Sequence, residues 1–475
     1  METGSAFLTG KTIPVPPSPR GLTNPYKTAR YAARRQALKT KAVAAPPRPA
    51  SSPPAQNSST SAEQTIADEA KYVLQTYVRP KMVLERGDGV NLWDTEGKQY
   101  LDFAAGIAVN SLGHSHKEWL RAVEEQAGQL CHASNLFHTA PQARLAKRLV
   151  ENTPWADRVF YSNSGTEAVE AVIKFARKYA RVQAGEDPYS TESNAATEVV
   201  CFSGAFHGRT MGALSLTAKE QYKTPFMPIM PGSVTAKYLD LESARQCIKK
   251  GKTAAVIVEP LQGEGGIHMS SQAFLEGLRE LCDEAGALLI FDEIQCGLGR
   301  TGKLWAHEYF GVQPDMMTLA KPLAGGLPIG AVLLKQKIAD VMAPGDHGST
   351  FAGNPLVCAA GEAVLDVLLA PGFLQAVHDN GVALRHGLRE KLGSNPHVKE
   401  VRGLGLISGI QLDVPAGPVV AAALEAGLIV ITAGKGDVVR MVPPLIVTQE
   451  DVQKCVDILA EVIPQALAAE MPPVS

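Results

Sequence analysis

The stretch LLIFDEIQCGLGRTGK, Leu288–Lys303, joins an apolar run to a polar, glycine-rich segment. The apolar run predicts a buried β-strand over Ala287–Asp292, with a carboxylate at its carboxyl end. Similar β-rich runs occur at Arg158–Ser162, Glu198–Phe202 and Ala254–Glu259, and helical patterns lie between them, at Glu167–Ala180 and Gln272–Ala285 among others. Strands that alternate with helices of this length predict an α/β fold with a mostly parallel central sheet flanked by helices.

Within the same stretch, Gly297-x4-Gly302-Lys303 comes close to a P-loop, the phosphate-binding motif of NTPases. The motif needs Ser or Thr after the lysine, because that hydroxyl binds Mg²⁺, whereas this chain has Leu304. The residues that follow are too short and broken a run for the helix whose N-terminus would hold the phosphates. A P-loop NTPase is therefore an alternative that Leu304 disfavours.

Lys321 lies between the apolar residues Met316–Ala320 and the loop Pro322–Gly326. This position predicts partial desolvation of the amine, which lowers its pKa and leaves a neutral nucleophile able to form a Schiff base. Taken singly, Lys321 is also compatible with a surface lysine. Asp292 is equally compatible with a helix cap, a metal ligand or a partner for a buried cation.

Ser164, Gly165 and Thr166 follow the predicted strand Arg158–Ser162 and precede a helix. Two hydroxyls and a bare backbone N–H at a helix N-terminus suit a phosphate monoester, although a plain N-cap explains the same residues. A phosphate turn, a strand-end carboxylate and a desolvated lysine together indicate a pyridoxal 5′-phosphate site. In such a site, Asp292 would keep the pyridine nitrogen protonated so that the ring can accept electrons.

These residues belong to a series of motifs through which the chain resembles the class-III (ω-amino acid) aminotransferases of fold type I, from about Tyr77 to Val462. The motifs span Leu101–His114, Ser162–Glu167, Phe206–Thr210, Val258–Gly266, Phe291–Gly302, Leu319–Gly330 and Gly348–Pro355. The resemblance implies a pyridoxal-phosphate-dependent transaminase that works as a homodimer, with active sites shared across the interface. It also explains the P-loop-like glycines, which in this family shape a loop after the cofactor aspartate.

The resemblance also implies which residues contact the cofactor. Lys321 matches the lysine that forms the Schiff base and shuttles protons, and Asp292 matches the partner of the pyridinium nitrogen. The other matches are Gln295 for the ring hydroxyl, Phe206 for the ring face, Gly165 and Thr166 with Ser164 for the phosphate, and Thr350 for a phosphate contact delivered by the neighbouring subunit. No metal site is expected.

Substrate contacts are implied in the same way. Arg209 matches the arginine that holds the carboxylate end of the ω-amine substrate, and Ser349 matches a substrate contact. Arg440 matches a second arginine, for the α-carboxylate of glutamate or 2-oxoglutarate. Glu264 matches the residue that neutralises this arginine while the ω-amine substrate is bound. As isolated residues, these side chains are also compatible with surface ion pairs.

The runs His132–Ala146 and Gly299–Glu308 resemble family members that act on N2-acetylornithine more than those that act on ornithine. The expected reaction converts N2-acetylornithine and 2-oxoglutarate into N-acetylglutamate 5-semialdehyde and glutamate, a step towards arginine. The alternatives are an ornithine, succinylornithine or 4-aminobutyrate transaminase. A non-catalytic binding protein is a further alternative, against which the presence of Lys321, Asp292 and both arginines counts.

The charge is distributed unevenly along the 475 residues, whose formal net charge is −2. Residues 1–60 contain nine Lys or Arg, ten of the 32 prolines and a single acid, Glu2. This composition is typical of an organelle transit peptide, and Pro and Ser interrupt any amphipathic helix, which favours the chloroplast over the mitochondrion. A merely disordered tail is the alternative.

The sequence predicts four segments: a disordered transit peptide over residues 1–60, an N-terminal part of a small domain over 61–112, a large cofactor-binding domain over 113–354, and the rest of an α+β small domain over 355–475. The chain has no long apolar run and no basic excess, so neither a membrane nor a nucleic acid is expected as a partner. Seven scattered cysteines without a C-x-x-C pair predict reduced thiols.

Overall fold

The computed structural model describes residues 61–470, and the predicted transit peptide lies outside them. The helices are α1 (Ala62–Tyr72), α2 (Ala105–Ala108, a single turn with left-handed backbone at Gly106 and Ile107), α3 (Lys117–Ala127), α4 (Ala140–Glu151), α5 (Gly165–Gln183), α6 (Met211–Ser215), α7 (Glu220–Lys223), α8 (Leu241–Cys247), α9 (Gln272–Ala285), α10 (Gln336–Ala339), α11 (Pro355–Leu368), α12 (Phe373–Leu392), α13 (Gly417–Glu425) and α14 (Gln449–Glu470). Short 3₁₀ turns cover Thr224–Phe226, Ala306–Tyr309 and Lys321–Ala324.

The strands are β1 (Leu84–Asp88), β2 (Asn91–Asp94), β3 (Gln99–Asp102), β4 (Arg158–Ser162), β5 (Glu198–Phe202), β6 (Ser233–Ala236), β7 (Thr253–Val258), β8 (Leu261–Gln262), β9 (His268–Met269), β10 (Leu288–Asp292), β11 (Met316–Leu319), β12 (Gly330–Leu334), β13 (Val398–Leu404), β14 (Ile407–Leu412), β15 (Leu428–Ile429), β16 (Ile431–Ala433) and β17 (Val438–Met441). The helix α9 and the strands β4 and β5 have the bounds that the sequence predicts.

The central sheet has seven strands in the order β4-β12-β11-β10-β7-β5-β6. Its neighbours pair in parallel except at β12, which is antiparallel to both β11 and β4. Because the strands are buried on both faces, their residues are almost continuously apolar. The predicted α/β fold with a mostly parallel sheet is therefore confirmed.

Helices cover the two faces of this sheet. Alternate strand residues point to opposite faces, so Leu288 and Ile290 of β10 share a core with α5, whereas Leu289 and Phe291 share a core with α9. Each helix buries its apolar stripe and exposes a polar one. The resulting three-layer arrangement holds the strand ends rigidly, which is what a precise site requires.

The antiparallel strand β12 is packed very closely against the turn that follows β4. Gly330 pairs with Ser162, and a Cβ atom at Gly330 would lie 2.3 Å from both the Ser162 hydroxyl and the Ser164 carbonyl oxygen. A side chain at this position would have to displace backbone. Only glycine therefore allows β12 to begin at this place.

Three smaller sheets lie outside the central one within residues 61–470: two have four strands, in the orders β1-β2-β3-β15 and β13-β14-β17-β16, and the third is the pair β8-β9. In the first, β15 from the C-terminal part of the chain pairs in parallel with β3, through Leu428 opposite Leu101. In the second, the strand β14 pairs antiparallel with both β13 and β17. The predicted domain boundaries stay predictions.

The glycines after Asp292 form turns, followed by the 3₁₀ turn Ala306–Tyr309 and not by a helix of the kind that follows a P-loop. All seven cysteines, which lie within the described residues, are free thiols. Over residues 61–470 no single helix has both the length and the apolar character to span a bilayer, although α11 and α12 meet that test as a pair bent by 71°.

Candidate active site

The predicted cofactor residues other than Thr350 lie at the edge of the central sheet where the parallel strands end. Asp292 is the last residue of β10, and Lys321 comes two residues after the end of β11. Ser164 lies between β4 and α5, Phe206 follows β5, and Glu259 follows β7. Ligands of parallel sheets bind beyond these carboxyl ends, which agrees with the predicted position of the site.

A cleft of about 420 Å³ opens at this edge. It is lined by eight of the predicted site residues, namely Ser164, Gly165, Thr166, Phe206, Arg209, Asp292, Gln295 and Lys321. Val109, Leu327 and Ile329 add apolar surface. The volume is in the range of small-molecule sites, and the mixture of apolar walls with a few polar groups is typical of them.

Asp292 is buried, and three donors hold its carboxylate. Oδ1 accepts hydrogen bonds from the backbone N–H of Ile294 and from the hydroxyl of Thr318, both at 3.0 Å. Oδ2 lies 2.7 Å from Nδ1 of His207. A carboxylate fixed in this way provides a fixed counter-charge for a cationic group in the cleft.

His207 and Glu259 are buried polar residues for which the sequence patterns predict no role. Burial disfavours the charged form of His207, but the hydrogen bond to Asp292 and its charge outweigh this effect and raise the pKa of the imidazole. Burial raises the pKa of Glu259 to about 7, and the charge of Asp292 adds to the effect. Glu259 accepts from the backbone N–H of Phe206 at 2.9 Å and of Gly263 at 3.2 Å.

A signal for His207 was present, since it follows Phe206 directly in a motif that sequence analysis already singles out.

Lys321 carries the amine that the chemistry requires. Burial lowers its pKa, the charge of Asp292 opposes this effect, and the charge of Arg440 adds to it. The predicted desolvation of this lysine is thus present in the structure, for the reason expected. A lowered pKa increases the fraction of neutral amine, which is the nucleophilic form.

The N-terminus of α5 points its free N–H groups at the cleft. The Ser164 hydroxyl caps the helix by accepting from the Glu167 N–H at 3.3 Å, and the Thr166 hydroxyl lies 2.8 Å from that of Thr210. The N–H groups of Gly165 and Thr166, in the first turn, have no acceptor within the helix. Phosphate binding here would therefore use these N–H groups and the helix dipole.

The groups around this cleft match those that pyridoxal phosphate requires. The cofactor needs an amine for its aldehyde, a carboxylate for its ring nitrogen, a helix N-terminus for its phosphate and an apolar surface for its ring. Lys321, Asp292, the first turn of α5 and Phe206 offer these groups around one cleft. Gly165 contributes by its lack of a side chain, because a Cβ atom there would lie 2.8 Å from Cδ1 of Ile294.

The two predicted carboxylate-binding arginines have different surroundings. Arg209 is exposed at the cleft, with its guanidinium 3.4 Å from the ring centre of Tyr222. Arg440 is buried, and burial lowers its pKa although Glu264 opposes this effect. Its Nη2 lies 2.9 Å from Oε2 of Glu264, and its Nη1 donates to Oε1 of Gln295 at 3.1 Å. The predicted pairing of Arg440 with Glu264 is therefore found.

Four predicted residues do not line this cleft, namely Arg440 and Glu264, which lie beside it, and Ser349 and Thr350. Ser349 accepts a hydrogen bond of 2.7 Å from the side-chain amide of Asn163, and Thr350 is exposed. Within one chain, Thr350 therefore does not line the cleft that contains the other predicted phosphate contacts.

Comparison with known proteins agrees with this geometry. Residues 72–463 match the family Aminotransferase class-III. A mitochondrial acetylornithine aminotransferase of Alnus glutinosa is 56% identical over 402 residues, which make up 85% of this chain and 88% of the relative. The acetylornithine aminotransferase of Caldanaerobacter subterraneus is 44% identical over 399 residues, 84% of this chain and 98% of the relative.

Solved structures give the same result. The ornithine aminotransferase of Toxoplasma gondii superimposes with a TM-score of 0.80 at 34% identity, over 86% of this chain and 96% of that one. The acetylornithine aminotransferase of Elizabethkingia anophelis gives 0.74 at 33% identity, over 85% and 99%. These likenesses confirm fold type I, and with the family match over residues 72–463 they show that this chain belongs to the class-III aminotransferases.

Proposed function

We propose that this enzyme transfers the ω-amino group of N2-acetylornithine to 2-oxoglutarate, giving N-acetylglutamate 5-semialdehyde and glutamate in arginine biosynthesis. The observation that carries the proposal is the arrangement of Lys321 and Asp292 in one cleft with Arg209, while Glu264 neutralises the buried Arg440 beside it. The acetylornithine aminotransferases at 44–56% identity support the choice of substrate.

Pyridoxal phosphate, when bound, supplies an aldehyde that takes up the amino group and a protonated ring that stabilises negative charge at the adjacent carbon. Lys321 would hold it covalently, and its amine would then move a proton to and from the carbon that bears the substrate nitrogen. The Asp292 carboxylate would hold the ring nitrogen protonated. Gln295 accepts from Arg440 through Oε1, so its Nε2 is the group that would donate to the ring hydroxyl.

Substrate selection follows from the two arginines. Arg209 would bind the carboxylate of N2-acetylornithine, while Glu264 keeps Arg440 neutralised so that the cationic amine of this substrate does not meet a second cation. Glutamate and 2-oxoglutarate carry an additional carboxylate, which would replace Glu264 on Arg440. One site thereby accepts two substrates that differ in the placement of their carboxylates.

The shared active site of a homodimer belongs to the same proposal, with Thr350 serving the phosphate of the partner subunit. Its support is the exposed position of Thr350 and the apolar surface beside it, where Phe351, Leu136 and Phe137 are exposed. Exposed apolar side chains grouped in this way are typical of interfaces between subunits.

We place the enzyme in an organelle, and in the chloroplast in preference to the mitochondrion, on the composition of residues 1–60. Several relatives carry the word mitochondrial in their names. Fusion of residues 1–60 to a fluorescent protein, followed by imaging beside chloroplast and mitochondrial markers, distinguishes the two.

The visible spectrum tests the reaction. Addition of N2-acetylornithine to the chain from Ser61 onward, loaded with pyridoxal phosphate, should remove the yellow absorption band, and 2-oxoglutarate should restore it. A band that does not respond to N2-acetylornithine contradicts the proposed substrate, and a protein that stays colourless with added cofactor indicates a non-catalytic binding protein.

The second candidate is ornithine transamination, which the likeness to the Toxoplasma gondii structure favours. The same titration with ornithine, and with 4-aminobutyrate beside it, decides between the substrates. A larger kcat/KM for ornithine than for N2-acetylornithine would replace the first proposal by this one.

A further inference from the structure

Glu264 lies between two cations. Its Oε2 is 2.9 Å from Nη2 of Arg440, and its Oε1 is 3.6 Å from Nζ of Lys219. The two cations differ in their exposure, since the Arg440 side chain is 3% exposed and the Lys219 side chain 32% exposed. Lys219 immediately precedes α7, and no function has been given to it so far.

The two contacts also differ in length. The pair with Arg440 has the short separation of a charge-assisted hydrogen bond, about 2.7–2.9 Å, whereas the pair with Lys219 is longer than this range. Glu264 thus forms a hydrogen-bonded ion pair with Arg440 and a longer, weaker ion pair with Lys219. The distance between Glu264 and Lys219 can shorten when the carboxylate turns away from Arg440.

The surroundings allow the carboxylate to turn in this direction. A second cleft, of about 550 Å³, is lined by Lys219, Tyr222, Glu264 and Lys435, so open space lies on the Lys219 side of the carboxylate. The backbone of Glu264 is fixed, because its carbonyl oxygen accepts from the N–H of Gly434 at 2.9 Å. Movement of the carboxylate therefore needs only side-chain torsions.

The segment that carries Lys219 also reaches the other arginine. Tyr222, one turn further along, lies against the guanidinium of Arg209 at 3.4 Å. Residues 219–222 consequently contact Arg209 directly and Arg440 through Glu264. One short segment is therefore linked to both arginines that are proposed to bind substrate carboxylates.

We propose that Lys219 is a specificity-determining positioning residue, which takes over Glu264 when the α-carboxylate of glutamate or 2-oxoglutarate occupies Arg440. Lys219 lowers the free energy of the arrangement in which Arg440 is released to the dicarboxylate. It has little effect on N2-acetylornithine, for which Glu264 stays on Arg440. This inference rests on the proposed function of Arg440 and Glu264.

The test compares Lys219→Met with Lys435→Met. Lys435 is exposed, lines the same cleft as Lys219 and has no ion pair among the residues that the structure describes. Its replacement therefore removes one positive charge from this cleft, as Lys219→Met does, without removing an ion pair. Binding of glutarate to the enzyme loaded with pyridoxal phosphate is measured by calorimetry. Glutarate has both carboxylates of the dicarboxylate substrates but no group that reacts.

We expect Lys219→Met to weaken glutarate binding by about 2- to 5-fold relative to Lys435→Met, the range for a partly exposed ion pair. Lys219→Arg should restore the binding. In a Glu264→Gln background the two lysine replacements should have equal effects, because Lys219 then has no carboxylate to hold. The KM for N2-acetylornithine in the first half-reaction should stay the same in both lysine variants.

Equal glutarate affinities of Lys219→Met and Lys435→Met in the Glu264 background would overturn the proposal, as would equal changes in the KM for N2-acetylornithine and for 2-oxoglutarate. Failure of the unmodified enzyme to accept an amino group from N2-acetylornithine contradicts the proposed function instead. The two failures are distinguishable, because glutarate binding requires no turnover.

Discussion

Replacement of Glu259 by Gln should change how the stability of the protein depends on pH. The Glu259 carboxyl group is buried beside Asp292 and His207, and burial raises its pKa from 4.5 to about 7. In the unfolded chain the same group ionises near its ordinary value. Replacement by Gln keeps the shape of the side chain and leaves a neutral group at every pH.

The magnitude follows from the difference between the two pKa values. Between about pH 4.5 and about pH 7, the folded protein retains a proton that the unfolded chain has released, so this group makes the free energy of unfolding fall as the pH rises. With about 1.4 kcal/mol for each pKa unit, the total decrease is about 3 kcal/mol, and it is complete above pH 7. Glu259→Gln removes this decrease.

The assay is urea unfolding of both proteins with saturating pyridoxal phosphate, at several values between about pH 5 and about pH 8. In the Gln variant, the side-chain amide faces a backbone N–H, and this unfavourable contact lowers the free energy of unfolding by a similar amount at each pH. The informative quantity is therefore how the difference in the free energy of unfolding between the two proteins changes with pH. Glu276→Gln, at an exposed position of α9, is the matched control and should run parallel to the unmodified protein.

Parallel pH dependences for Glu259→Gln and the unmodified protein would refute this reasoning. Glu259 would then be ionised in the folded state, with its charge balanced by a protonated His207 and by the two backbone N–H groups that it accepts from.

Three further predictions concern the site. Lys321→Ala should abolish transamination because no amine is left to bind the cofactor or move the proton, and substantial turnover without an added amine would contradict this role. Lys321→Ala chains and Thr350→Asp chains should each be inactive alone. When the two are mixed, about half of the dimers contain one chain of each kind and have one intact site, so about a quarter of all sites should be active. If no activity returns, Thr350 serves its own subunit. Gly165→Ala should destabilise the protein by about 1–3 kcal/mol, measured by urea unfolding, because its Cβ meets Ile294 at 2.8 Å. Ile294→Val should recover part of that loss in the double variant, and an unchanged loss would place the strain elsewhere.

Much of the central sheet was predictable because its signals are local. The strands β4, β5, β7 and β10 are short apolar runs between helical patterns, and their ends identify where a ligand binds. The helix α5 begins two residues earlier than predicted, at Gly165, because the Ser164 hydroxyl caps it. An N-cap is one of the two interpretations that the residues Ser164–Thr166 allow.

Apart from the pairing of Arg440 with Glu264, which the family resemblance implied, the contacts between distant segments were not predictable. The insertion of β12 between β4 and β11 follows from packing, since no local pattern states which strands are neighbours. The same holds for His207, which meets Asp292 across 85 residues of sequence, and for Lys219 beside Glu264. Residue types and motifs identified Lys321 and Asp292, whereas their buried partners required the folded chain.

The close packing of Gly330 against the turn at Ser162 and Ser164 has a consequence for engineering. A side chain at Gly330 would collide with the Ser162 hydroxyl and the Ser164 carbonyl at the phosphate turn, so most substitutions of Gly330 should prevent correct folding. Arg209 and Lys219 lie instead on a more exposed part of the chain. Directed evolution of the substrate range should therefore diversify residues 209–211 and 218–222, which are exposed or half-buried, and leave Gly330 untouched.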